Sequence, residues 1–170
     1  AFSSRVAPRV PDLERADSVT IDPHKGFFLA YDIGALVVKR REDLRQTFHR
    51  TPDYYRHPSP EDAPLNWFEY SIEGTRRFRA LKLWLSWKHV GTSGFARLIE
   101  HNVDLAAYLV ARSSEASDFE VVPDEPELSV VCFRHLPEGL EGEALDAYQD
   151  RLQLALEASA EGWVSTTKIR

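Results

Sequence analysis

Four consecutive residues, Asp22-Pro23-His24-Lys25, place a carboxylate, an imidazole and a primary amine side by side. Pro23 and Gly26 force a turn there, at the end of the β-prone stretch Ser18–Ile21. Lys25 is followed by Gly26 and the apolar Phe27, Phe28 and Leu29. An ammonium in apolar surroundings is desolvated, which lowers its pKa and raises the fraction of free amine. The free amine is the form that attacks a carbonyl carbon to make a Schiff base. The C-terminal ends of strands are also where open α/β sheets place their ligands. His24 could donate to a phosphate or orient a ring. From these four residues alone, a solvated turn lysine with a chance neighbour is the better reading.

Other chemistries find less support. The six histidines, at 24, 49, 57, 89, 101 and 135, share no i, i+3 or i, i+4 pairing, and no CxxC accompanies them, so no metal centre is expected. Glu100-His101 lacks the second histidine of a metalloprotease helix. No GxSxG nucleophile elbow occurs. Cys132, the only cysteine, sits in an apolar run and reads as a small core residue.

The elements that must position the turn are legible in outline. Phe27–Tyr31 and Ala35–Val38 are apolar runs around Asp32-Ile33-Gly34, which predicts a hairpin of strands covered on both faces. Arg41–Phe48 is a short helix candidate. Arg50–Asn66 carries four of the ten prolines and reads as a long loop, the kind that is functional or disordered. A strong helix follows. Ser71 or Thr75 can cap it, Phe78, Leu81, Leu85 and Ala80, Trp84, Trp87 recur at helical spacing, and Gly91 ends it. A second helix is predicted from about Ser93 to Ser113, with Phe95, Leu98, Ile99, Leu105, Ala106 and Leu109 facing inward. Beyond it, strands at Phe119–Val122 and Leu128–Phe133, a helix at Glu141–Ala160 and a strand at Trp163–Ile169 describe a small α+β domain. The division expected is therefore 1–113 and 114–170.

The composition bounds the class. The chain has 170 residues, 43% hydrophobic and 28% charged, with a net charge of −6. That is globular and acidic, which excludes a disordered chain and a basic nucleic-acid binder. No apolar run reaches the ~18 residues of a membrane span. There is no methionine, even at position 1, so processing or membership of a longer protein is expected.

Four blocks change the weighing of Lys25. They are Ala16-Asp17-Ser18 with Asp22-Pro23-His24-Lys25, Tyr31-Asp32 with Gly34-Ala35, Thr75-Arg76-Arg77-Phe78-Arg79-Ala80-Leu81-Lys82-Leu83-Trp84, and Val131-Cys132-Phe133-Arg134. In content, order and interval the chain resembles the pyridoxal-phosphate-dependent group II amino-acid decarboxylases, which include the aromatic-L-amino-acid, tyrosine, histidine and glutamate decarboxylases. The resemblance implies an α/β, aminotransferase-like fold (PLP fold type I). It implies that Lys25 carries pyridoxal 5'-phosphate as a Schiff base, and that His24 and Asp22 hydrogen-bond the phosphate. Asp22 stands where many relatives have Asn. By the same resemblance, residues 50–66 are a mobile catalytic loop whose Tyr54, next to Tyr55, protonates the substrate carbon after CO₂ leaves. Relatives with Phe there tend toward aldehyde-forming chemistry, so a tyrosine favours simple decarboxylation. Thr75 matches a position that contacts the substrate ring, with a plain helix N-cap as the competing role. Arg76 and Arg77 look mainly structural.

The family's Asp-x-Ala-x-x-Gly block and ring-stacking His lie N-terminal to the lysine block. Their absence leads us to expect the C-terminal part of the cofactor domain plus an incomplete small domain, dependent on an N-terminal segment. The function implied is decarboxylation of an L-amino acid of the aromatic class, in a cytoplasmic homodimer with shared active sites and no nucleic-acid or membrane partner. The alternatives are an aldehyde synthase or lyase on the same scaffold, and a non-catalytic dimerisation fragment.

Overall fold

A computed structural model describes residues 3–50, 54, 65–122 and 124–169. The chain divides into two compact units, Ala1–Ile99 and Glu100–Arg170.

The first unit is built around an antiparallel pair, β1 (Ser18–Ile21) and β2 (Ala35–Val38). Their register sets Ser18 against Val38 and Ile21 against Ala35. Between them lie a single helical turn, α1 (Pro23–Gly26), and an irregular segment. Phe27–Tyr31 is therefore not the strand expected from its apolar run; the partner of β2 is β1. An apolar run of this length carries no period that separates a strand from a packed loop. Phe27 instead turns inward, its ring 5.2 Å from Phe95 in an edge-on arrangement and 6.0 Å from Trp87. Trp87 and Phe95 lie 5.1 Å apart, and Phe95 is only 1% exposed. Nor is the β1–β2 pair covered on both faces, since Leu36 and Val37 are exposed.

Helix α2 (Arg41–Phe48) forms where expected, with Glu42 and Asp43 in its first turn favouring the helix dipole. Arg45 and His49 at its end both face Glu69, at 3.0 and 3.6 Å, in the short 3-10 turn Trp67–Tyr70.

The long helical stretch α3 (Ala80–Ser114) is broken at Gly91, whose φ of 73° and ψ of 165° suit glycine alone. This is the stop read from the sequence. The start differs: α3 begins at Ala80, so neither Ser71 nor Thr75 caps it. The inward face also differs. Phe95, Val103 and Ala106 are buried, whereas Trp84, Leu85, Leu98, Leu105 and Leu109 are exposed.

In the second unit, β3 (Phe119–Val122) pairs antiparallel with β4 (Cys132–His135). The second strand starts later than Leu128, and Cys132 is half-buried rather than deep in a core. Helix α4 (Gly142–Ser159) packs on this pair through His135. Tyr148 lies 2.7 Å from His135 Nδ1, Asp118 lies 3.1 Å from its Nε2, and Gln149 bonds its backbone N–H and carbonyl. Residues 163–169 form no strand; no neighbouring strand among the described residues offers them a ladder.

Candidate functional site

The turn α1 gathers three of the residues singled out from the sequence. Pro23, fully buried, occupies the first helical position, where its missing N–H costs nothing. Asp22 precedes it at the N-cap. A capping carboxylate ordinarily accepts a backbone N–H of the first turn, but Asp22 makes no such bond. Its Oδ2 accepts from Lys25 Nζ at 2.7 Å. The hydrogen bond from Lys25 holds the Asp22 carboxyl below the usual carboxylate range. The same bond raises the Lys25 ammonium above its ordinary pKa.

This corrects the expected desolvation of Lys25. Its side chain is 70% exposed. The apolar residues after it do not wrap it: Phe27 packs into the unit against Trp87 and Phe95, and Phe28 points to solvent with a left-handed φ of 55°. A solvated ammonium with a carboxylate partner keeps its charge.

His24 faces the other way. Its Nδ1 lies 2.8 Å from the carbonyl oxygen of Ile33, itself buried. A carbonyl only accepts, so Nδ1 carries the proton and donates. Nε2 is then the ring nitrogen left for another partner. The Tyr31 ring covers the imidazole at 4.5 Å with a 30° tilt.

The segment 30–33, which holds His24, is itself fastened by the start of α3. Lys82 Nζ donates to the carbonyls of Ala30 at 3.1 Å and Tyr31 at 2.8 Å. Arg79 Nε donates to Asp32 at 3.0 Å, while its other arm takes both oxygens of Glu73 at 3.1 Å. The Arg79 bond lowers the Asp32 pKa. Arg79 and Lys82 belong to the Arg-Arg-Phe-Arg-Ala-Leu-Lys block, read above only as part of a family signature. The signal that could have found their role is their i, i+3 spacing at a helix start, which puts both cations on one face.

The remaining candidates stand elsewhere. Tyr54 is 83% exposed; Tyr55 and most of the 50–66 loop lie outside the described residues. Thr75 is exposed in the irregular stretch before α3. Arg76 stacks its guanidinium 5.5 Å from the Trp67 ring centre. Among the described residues no cluster of His, Cys, Asp and Glu could hold a metal ion, and no helix is long and apolar enough to cross a membrane.

The turn thus presents an accessible primary amine, paired with Asp22, next in sequence to an imidazole held by the Ile33 carbonyl. Comparison with known proteins assigns the chain to a family. The sequence model described as the pyridoxal-dependent decarboxylase conserved domain matches residues 2–136. The chain is 37% identical over 140 residues to an aromatic-L-amino-acid decarboxylase of Bacillus atrophaeus, covering 82% of this chain and 29% of that protein. It is 30% identical over 158 residues to an L-2,4-diaminobutyrate decarboxylase of Acinetobacter baumannii, covering 92% and 31%. The crystal structure of mouse CSAD superposes with a TM-score of 0.82 at 26% identity, over 99% of this chain and 36% of that one. The chain thus spans about a third of the length of the proteins it matches. With its lysine turn and the brace from α3 within the matched region, the chain belongs to the pyridoxal-dependent decarboxylase family, whose cofactor is pyridoxal phosphate.

Proposed function

We propose that the protein containing this chain removes the α-carboxylate of an L-amino acid as CO₂ and releases the amine, and that the amino acid is aromatic. The observation that carries this is the exposed Lys25 amine, set in one turn with an imidazole whose tautomer Ile33 fixes. Pyridoxal phosphate, when bound, supplies the electron sink for the bond that breaks. The chain's own side chains do the rest. Lys25 would hold the cofactor through its side-chain amine. His24 would hold the cofactor phosphate through Nε2. Tyr54 delivers a proton to the substrate's α-carbon, and Thr75 borders the substrate ring. The similarity to the Bacillus enzyme supports the aromatic class; that to the diaminobutyrate enzyme favours, as a second reading, an acyclic substrate. The same reading makes the protein a cytoplasmic homodimer with shared active sites.

The test uses the full-length protein. Borohydride reduction and peptide mapping should leave the pyridoxyl group on Lys25. Unreduced protein, given a panel of aromatic and acyclic amino acids, should yield CO₂ and amine in equal amounts, from the aromatic members alone. Tyr54→Phe should retain the cofactor and lose amine formation by about 10²–10⁴-fold. An adduct on Lys82 or Lys88 would overturn the assignment of Lys25. Aldehyde with ammonia from the wild type would replace decarboxylase by aldehyde synthase.

A further inference from the structure

Asp22 departs from what an N-cap residue ordinarily does. It occupies the cap position of α1 and leaves the cap unmade, turning its carboxylate 2.7 Å onto the amine three residues later. An asparagine in its place would offer that amine a neutral oxygen without charge. We propose that Asp22 is a positioning residue for Lys25, a carboxylate counter-ion that holds the amine at the mouth of the turn and keeps it protonated until the cofactor arrives. This rests on Lys25 being the cofactor-bearing lysine.

The direction of both shifts agrees with the geometry: Asp22 lowered, Lys25 raised, each first through the bond to the other. The groups that bear on the pair are few. His24 acts on Asp22 and Tyr31 on Lys25, each more weakly than the bond between the pair itself. Cofactor attachment requires the ammonium to release one proton to solvent. The neutral nitrogen then adds to the aldehyde carbon, its two hydrogens leave with the aldehyde oxygen as water, and a C=N bond remains. The carboxylate therefore slows attachment below the amine pKa by lowering the free-amine fraction.

The experiment follows covalent loading of the full-length, cofactor-free protein. Wild type, Asp22→Asn and Asp22→Glu are mixed with pyridoxal phosphate or with pyridoxal between pH 7 and 10, quenched with borohydride at intervals and mapped by mass spectrometry. Asp22→Asn should load Lys25 about 1.5- to 5-fold faster at pH 7–8, the range an exposed ion pair commands. The gain should be alike for both aldehydes, shrink toward pH 10 and shrink in high salt. Asp22→Glu should follow the wild-type pH profile. Lys82 and Lys88 serve as internal controls and should not change. Equal rates in wild type and Asp22→Asn would overturn the proposal. So would a gain confined to pyridoxal phosphate, which would make the carboxylate a repeller of phosphate instead. Adducts that bypass Lys25 in every variant would overturn the proposed cofactor lysine itself, a separate failure.

Discussion

Lys82 donates its ammonium to the backbone carbonyl of Tyr31 at 2.8 Å, across 51 positions of sequence. A helix start thereby fixes a loop whose ring and carbonyls hold His24. The same ammonium faces Asp32 Oδ1 at 3.7 Å, so carbonyl bonds and an ion pair together order the 30–33 segment. Lys82→Met keeps the stem length and removes the donor. It should cost about 1 kcal/mol of local stability, seen as roughly fivefold faster amide exchange over 29–34 with little change in β3 and β4. Unchanged exchange in that segment would show the brace to be idle.

The aromatic trio beneath the turn carries more. Phe95 is fully buried against Phe27 and Trp87, and Phe27 is two residues from Lys25. Phe95→Ala should lower the stability of the full-length protein by about 3–5 kcal/mol, measured by denaturant unfolding. Phe95→Leu, which keeps most of the volume, should cost far less.

Asp32 makes the loop sensitive to acid. Arg79 lowers its pKa in the folded chain. A carboxylate so lowered contributes fully above its ordinary pKa of about 3.9, and the contribution is lost as pH falls through the lower folded value. Exchange over 29–34, corrected for its intrinsic rate, should therefore rise between pH 5 and pH 3. In Asp32→Asn it should be raised already at pH 5 and respond little to further acid. A wild-type acid response preserved in that variant would assign it to another carboxylate.

His24 discriminates between parts of the cofactor. If its protonated Nε2 donates to phosphate, His24→Ala should release pyridoxal phosphate about 10- to 100-fold faster, the worth of a hydrogen bond to a charged group. Release of pyridoxal, which lacks the phosphate, should change little. Equal loss of both would mean that the imidazole serves the turn's shape instead.

Parts of this arrangement were legible in the residue order and parts were not. Gly91 announced the break in α3 because no other residue type tolerates its backbone angles without strain. The Asp22–Lys25 tetrad by itself reads as a solvated turn lysine; only its order and interval with the Thr75–Trp84 block singled Lys25 out, by resemblance. Phe27–Tyr31 misled because an apolar run looks alike whether it pairs with a strand or packs on Trp87 and Phe95. Residues 163–169 misled because strand propensity does not supply a partner strand. The swing of Asp22 away from its cap, and the grip of Arg79 and Lys82 on a distant loop, are tertiary facts. Local spacing holds no trace of the first; for the second it places two cations on one helix face and does not name the loop they reach.

Tyr31 is 79% exposed, which would class it with freely drifting surface positions. Its ring is nonetheless committed to His24 and its carbonyl to Lys82. Over evolutionary time such a residue is free in its environment but bound by its neighbours. Any residue at 31 offers Lys82 the same backbone carbonyl, but only a flat ring covers the imidazole.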